Sequence, residues 1–216
     1  DDQAVVDGLL ATPPMQDEQL QSLNLQALSP LDEGYEEAFE GIAPYPLIEL
    51  FGDEGYDQSG WGGLSTYSVV RVLEEDLQLY RLSHAVSESD PGAYFGSWFV
   101  DEFALSGGRG FAEFSNQVSL TCWDYAMLER CTIRSGATMI VGTPAWRDTS
   151  AGRGCDFPAG VEGIVTPQVA DPDVFFYVLN PLLVASECCV APLDRDDVGA
   201  SITSSNCVPV SGVGSA

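Results

Sequence analysis

The sequence predicts an α+β domain, a strand-dominated second half preceded by short N-terminal helices. Two observations carry this. In residues 17–28 apolar positions (Leu20, Leu23, Leu25, Leu28) fall at helical spacing, and from Tyr67 onward the period shortens to the alternation of strands. With 216 residues, 45% of them apolar, the chain can bury a sizeable core and still carry an extension. The expected division is an acidic helical and loop extension over 1–62, then a mainly β domain over 63–216.

Taken in order, Ala4 to Leu10 and Asp17 to Leu28 read as helices, interrupted by Pro13-Pro14 and stopped by Ser29-Pro30. Leu31 to Phe39 reads as a further short helix with Tyr35, Ala38 and Phe39 inward. Pro44, Pro46 and the glycines from Gly52 to Gly63 mark an ordered loop. Tyr67–Leu73 and Leu77–Leu82 then read as strands divided by Glu74-Glu75-Asp76. Phe99–Ala104 is short and fits either element, and Gly107-Gly108-Arg109-Gly110 is a flexible loop. Ser119–Glu129 fits a short helix or an irregular strand. Arg130–Val141 reads as a hairpin bent at Ser135-Gly136. A glycine-rich loop over 147–163 leads to Val165–Val169, the apolar run Val174–Val184, and a polar tail from Asp194. No internal repeat is present.

The charge balance narrows the function classes. There are 33 acidic residues, eight arginines and no lysine, for a net charge of −25. Phosphate affinity comes from Lys and Arg, so nucleic acid and anionic membrane surfaces are excluded as partners. Residues 1–76 hold 17 acids and one arginine, net −16, and residues 77–216 hold 16 acids and seven arginines, net −9. Any anionic ligand must be captured by a local arginine against a repulsive overall field. The missing lysine fits first a salt-adapted or secreted lineage, and only second a chain that escapes ubiquitination in a host cell. No apolar run reaches about 18 residues, so no transmembrane helix is expected.

Six cysteines stand at 122, 131, 155, 188, 189 and 207, with no Cys-x-x-Cys pair and one histidine, His84, so a structural zinc finger is not expected. At least one disulfide, formed in an oxidising compartment, is expected, with reduced buried cysteines as the close alternative, and the sequence does not choose among the possible pairings. Cys188 and Cys189 are adjacent, so on a strand they point to opposite faces and cannot share one partner.

Common catalytic motifs are absent from the sequence: no P-loop, no dinucleotide-binding glycine fingerprint, no H-E-x-x-H and no G-x-S-x-G elbow. Asp194-Arg195-Asp196-Asp197-Val198-Gly199 has a faint calcium-loop pattern, but Ser205 occupies the place of the bidentate glutamate, so it reads as a solvated turn. The most informative stretch is 77–99, LQLYRLSHAVSESDPGAYFGSWF. An arginine within an apolar strand is followed by aromatics at a glycine turn, a combination suited to an anionic ligand with a flat ring.

In motif order, residues 77–170 resemble the ADP-ribosyltransferase-like toxin superfamily of bacterial secreted effectors. The matching pieces are LYRLSHAV, GAYFGSW, VSLTCWDYAML, CTIRSGATMIVGTPA and GVEGIVTPQV. The resemblance implies a split β-sheet that binds NAD as substrate in a cleft and breaks the bond between nicotinamide and ribose. A target protein would accept the ADP-ribosyl group. Arg81 would anchor the pyrophosphate or ribose through its planar donor fork, with Ser83 beside it and Arg71 as second choice. Tyr94, Phe95 or Trp98 would stack on the nicotinamide, and Gln168 or Glu162 would position the ribose and stabilise its developing charge. The sequence lacks the superfamily's Ser-Thr-Ser segment, and glutamine at 168 cannot act as a base, which favours hydrolysis or transfer by an SN1-like route. The competing expectation is a non-catalytic, acidic, disulfide-containing extracellular protein with a binding or structural role.

Overall fold

The computed structural model describes residues 15–40, 64–84, 98–117, 125–144, 173–180, 183–184, 187–202 and 206–210. They build one antiparallel sheet of nine strands: β1 (Leu25–Ala27), β2 (Leu64–Val72), β3 (Leu77–His84), β4 (Trp98–Val100), β5 (Tyr125–Ile133), β6 (Thr138–Pro144), β7 (Phe176–Val178), β8 (Cys188–Pro192) and β9 (Val208–Pro209). Their order across the sheet is β1-β2-β6-β7-β4-β3-β5-β8-β9. Helices are few and short: α1 (Asp17–Ser22), α2 (Glu102–Leu105), α3 (Phe111–Gln117) and two 3₁₀ turns at Glu36–Phe39 and Val198–Ser201.

This corrects the α+β expectation. The described chain is mainly β, with no split ADP-ribosyltransferase-type core behind a block of N-terminal helices. The reason is local. The leucines at helical spacing do not share one helix, because Asn24 takes a left-handed backbone (φ 61) that ends the helical run after Ser22. Leu25 then opens β1 opposite Val72, and Leu20 from the helix and Leu25 from the strand enter the same core. Asn24 also pins the next turn: its side chain donates to the Glu75 carbonyl and accepts from the Glu74 amide, and its carbonyl accepts from the Leu73 amide. Among the described residues of the expected extension, Leu25–Ala27 thus pair into the sheet, and Leu20, Tyr35, Ala38 and Phe39 pack against it.

The strands expected at 67–73 and 77–82 are present, and so are both strands of the expected hairpin over 130–141. Their pairing is different. β5 does not pair with β6, nor β2 with β3; instead β2 pairs with β6, and β3 with β5. The links 73–76 and 134–137 are each four residues long, yet each joins strands four positions apart in the sheet. In a flat sheet those strands would lie roughly 19 Å apart, and such a link spans about 17 Å even when fully extended. The sheet therefore curls over on itself. β2–β3 and β5–β6 behave as two long strands that run side by side and bend together at a shared corner.

The corner is stitched by polar bonds. The Val72 amide donates to the Ala137 carbonyl and the Gly136 amide to the Val72 carbonyl. Arg134 bridges Asp76 (2.8 Å) and Glu187 (3.0 Å), and the Ser135 amide donates to Asp76. Gly136 at φ 87 supplies the left-handed position that the bend demands.

Curling separates two faces. The concave face gathers one cluster drawn from both halves of the sheet, including Leu25, Val70, Val72, Leu79, Phe99, Cys131, Ile133, Met139, Val141, Tyr177 and Cys188. The convex face is covered in two patches. The helices α2 and α3, with Val198, lie over Val100 and Leu128; Tyr35, Ala38 and Phe39 lie over Val69, Ile140 and Val178. The second patch meets the expectation that those three residues face inward. At Gly199 an added Cβ would stand 2.6 Å from the Leu105 carbonyl oxygen, so the 3₁₀ turn approaches α2 as closely as only glycine permits.

β8 is held on both sides by disulfides. Cys188 bonds Cys131 directly across on β5, and Cys189 bonds Cys207 beside β9. The adjacent cysteines take separate partners, as alternation along a strand requires. Asp194 accepts from the Asp196 and Asp197 amides, and Asp197 caps the following 3₁₀ turn, so the calcium-like stretch is a self-bonded turn.

Candidate functional site

The polar centre of the concave face is Arg81. β3 alternates, so Leu79, Arg81 and Ser83 point inward together, opposite Cys131, Glu129 and Met127 of β5. Arg81 Nε and Nη2 donate to Glu129 Oε2 at 2.8 and 2.6 Å. The two side chains are only 2% and 0% exposed, which makes this a fully buried ion pair. The Phe99 ring from β4 lies 5.1 Å from the guanidinium carbon, a cation–π contact inside the core.

Both carboxylate contacts fall on one oxygen. Among the described residues, Glu129 Oε1 and Ser83 Oγ are the buried side-chain polar atoms that make no hydrogen bond. Glu129 also lies beside the Cys131–Cys188 bridge: a carboxylate oxygen and the two sulfurs stand within 4.8 Å of one another, all buried.

Next along the concave face, Tyr177 on β7 sits opposite Phe99 and donates its hydroxyl to Asp101 Oδ2 at 2.9 Å. Asp101 caps α2 by accepting from the Ala104 amide. Burial pushes the Asp101 carboxyl above its ordinary value despite the hydrogen bonds from Tyr177 and the α2 backbone, and burial together with the Asp101 charge raises the Tyr177 hydroxyl. On the surface the opposite holds for Asp76, whose carboxyl is held low by the Ser135 amide and by Arg134.

The two carboxyls have opposite pH signatures. A raised folded-state pKa gives Asp101 a contribution that is complete below the ordinary carboxylate range and is lost as pH rises through the raised value. A lowered one gives Asp76 a contribution present above that range and lost as pH falls. Asp101→Asn is expected to flatten the decline in the urea midpoint above about pH 4, and Asp76→Asn to flatten the decline below it. Equal slopes in both variants and the parent chain would contradict these assignments.

Of the residues marked from the sequence, Arg81 and Ser83 share this buried face. Trp98 is on the other one: it has the parity of Val100, which pairs with Tyr80, and its ring meets Phe176 edge-on at 5.1 Å on the convex side. Among the described residues, the aromatic that reaches Arg81 is Phe99. Arg71 donates to the Glu33 carbonyl and so ties down the 29–34 turn. Tyr94, Phe95, Glu162 and Gln168 lie outside the described residues.

Glu129 is the residue that sequence reasoning missed. Its signal was available: within MLERCTI it has the parity of Cys131 and Ile133, an acid on the apolar face of a strand. Comparison with known proteins adds nothing to the geometry: no family model, no curated protein and no solved structure matches this chain.

Proposed function

We propose that this chain is a non-catalytic, acidic, disulfide-containing extracellular protein with a binding or structural role. The observation that carries the reading is the double tethering of β8, through Cys131–Cys188 on one side and Cys189–Cys207 on the other. Such bridges form and persist in oxidising compartments. The net charge of −25 suits a protein kept dispersed by mutual repulsion and selective for cationic partners. No helix among the described residues is long and apolar enough to cross a membrane.

The NAD-consuming reading loses one support, since the split-sheet core it drew on is not the fold observed. Arg81 pairs with Glu129 inside the core. NAD remains the ligand with which to challenge the proposal. Incubated with NAD, the purified chain is expected to release no nicotinamide and to gain no thermal protection. Reduction of its disulfides is expected to accelerate proteolysis without altering any NAD-dependent signal. Steady nicotinamide release, abolished in Arg81→Lys, would replace this reading with the ADP-ribosyltransferase one.

A further inference from the structure

We propose that Glu129, Cys131 and Cys188 form a zinc-type metal site that the Cys131–Cys188 disulfide masks and its reduction opens. Three observations converge on it. The ligand atoms already lie within 4.8 Å of one another; a tetrahedral zinc with sulfur ligands at about 2.3 Å and oxygen at about 2.0–2.2 Å holds its ligand atoms roughly 3.5–3.8 Å apart. The two sulfurs are bonded to each other, so opening the bond frees them to separate towards the spacing zinc needs. Glu129 Oε1 is buried with no hydrogen-bond partner, while Oε2 is held by Arg81. A buried carboxylate oxygen left unpaired is costly, and a metal ion would satisfy it.

The backbone holds the set in place. Cys131 and Cys188 are directly opposed on neighbouring strands, and Glu129 is two residues from Cys131 on the same face. Charge also balances in each state. With the disulfide closed, Arg81 offsets Glu129. With zinc bound, the two charges of the ion and that of Arg81 offset Glu129 and two thiolates. Counted over these described groups, neither state leaves a net charge, and an uncompensated one would be prohibitive in a core.

A phosphine reductant gives its electron pair to the S–S bond and becomes a phosphine oxide by taking oxygen from one water. The two hydrogens of that water end on the Cys131 and Cys188 sulfurs. Zinc then displaces both thiol protons to solvent, forming two Zn–S bonds and one Zn–O bond. Three protein ligands leave the fourth position to a water molecule.

The full chain, stripped with a chelator, is compared oxidised and phosphine-reduced, with Zn²⁺ and Co²⁺ as the probes. Reduction is expected to create binding of one metal per chain, with thiolate-to-cobalt charge-transfer absorption that the oxidised chain lacks. Zinc is expected to slow alkylation of Cys131 and Cys188 at least tenfold while Cys189 and Cys207 react freely. Cys131→Ser should abolish the cobalt spectrum. Glu129→Gln should weaken zinc binding by more than the roughly 10- to 100-fold that loss of an outer-shell partner costs. If that variant does not fold, Arg81→Met/Glu129→Gln, which removes the guanidinium as well, serves instead. If the reduced chain loses its far-UV signal, zinc is expected to restore it. Failure to restore it, protection of other cysteines alone, or undiminished binding in Cys131→Ser or the Glu129 variants would overturn the proposal.

Discussion

Glu129→Ala is expected to lower the unfolding free energy by about 3–5 kcal/mol, the cost of breaking a buried ion pair by removing one side of it. Arg81 is 4% exposed and lies beneath Phe99, so its guanidinium cannot turn out to water when the carboxylate is gone. The pair as a whole is worth far less than that figure. Desolvating both ions offsets most of their attraction, and Glu129 gains both of its Arg81 bonds through a single oxygen. Replacing both at once, Arg81→Met with Glu129→Leu, is therefore expected to be neutral or stabilising by about 1–4 kcal/mol. Urea titrations of the two single variants and the double variant, with constant slope m, measure this directly. A double variant as unstable as the worse single one would show that the pair contributes net stability.

Removing the Cys131–Cys188 bridge as Cys131→Ala/Cys188→Ala is expected to cost about 4 kcal/mol, and removing Cys189–Cys207 about 3 kcal/mol. The order follows from the loops they close in the unfolded chain, with sequence separations of 57 and 18. Entropy of loop closure rises with the logarithm of length, so the difference between them is about 1 kcal/mol. The two loops follow one another along the chain without overlapping, so their closure entropies add, while the adjacency of Cys188 and Cys189 is expected to shift the double removal from the simple sum by about 0.5–3 kcal/mol. Equilibrium unfolding of the three variants in guanidinium tests both the order and the sum. A larger loss from the shorter loop would mean that native packing around Cys189, not chain entropy, sets the cost.

Strand existence was legible in the sequence because it is local. The alternation in YSVVRVL, LQLYRL and RCTIRSGATMIV marked the strands that became β2, β3, β5 and β6, and Ser135-Gly136 marked their turn. Pairing was not legible. A short link between two alternating segments normally means a hairpin, and nothing within 130–141 signals that its strands will part and pair with β2 and β3 instead. The N-terminal leucines misled for a related reason: helical spacing and burial in one core do not require one helix, since Leu20 and Leu25 converge from a helix and a strand. At the site, Arg81 stood out as an arginine in an apolar strand. Its meaning depended on Glu129, 48 residues away in sequence, and no local pattern states which residue will face it.

The shared corner also bears on how the chain comes together in time. β2 and β3 are consecutive in the chain, yet neither can complete its pairing until β5 and β6 have been added more than 40 residues later. Sequential hairpin zipping is closed to such a ribbon, because the two bent strands must meet as a unit. Loop closure comes first and the reward of pairing afterwards, the regime in which all-β domains fold in milliseconds to seconds rather than microseconds. During that interval the edges of β2 and β3 lie open to other chains. The acids between them, Glu74, Glu75 and Asp76, then act as gatekeepers: they repel a second nascent chain at the point where it would otherwise dock.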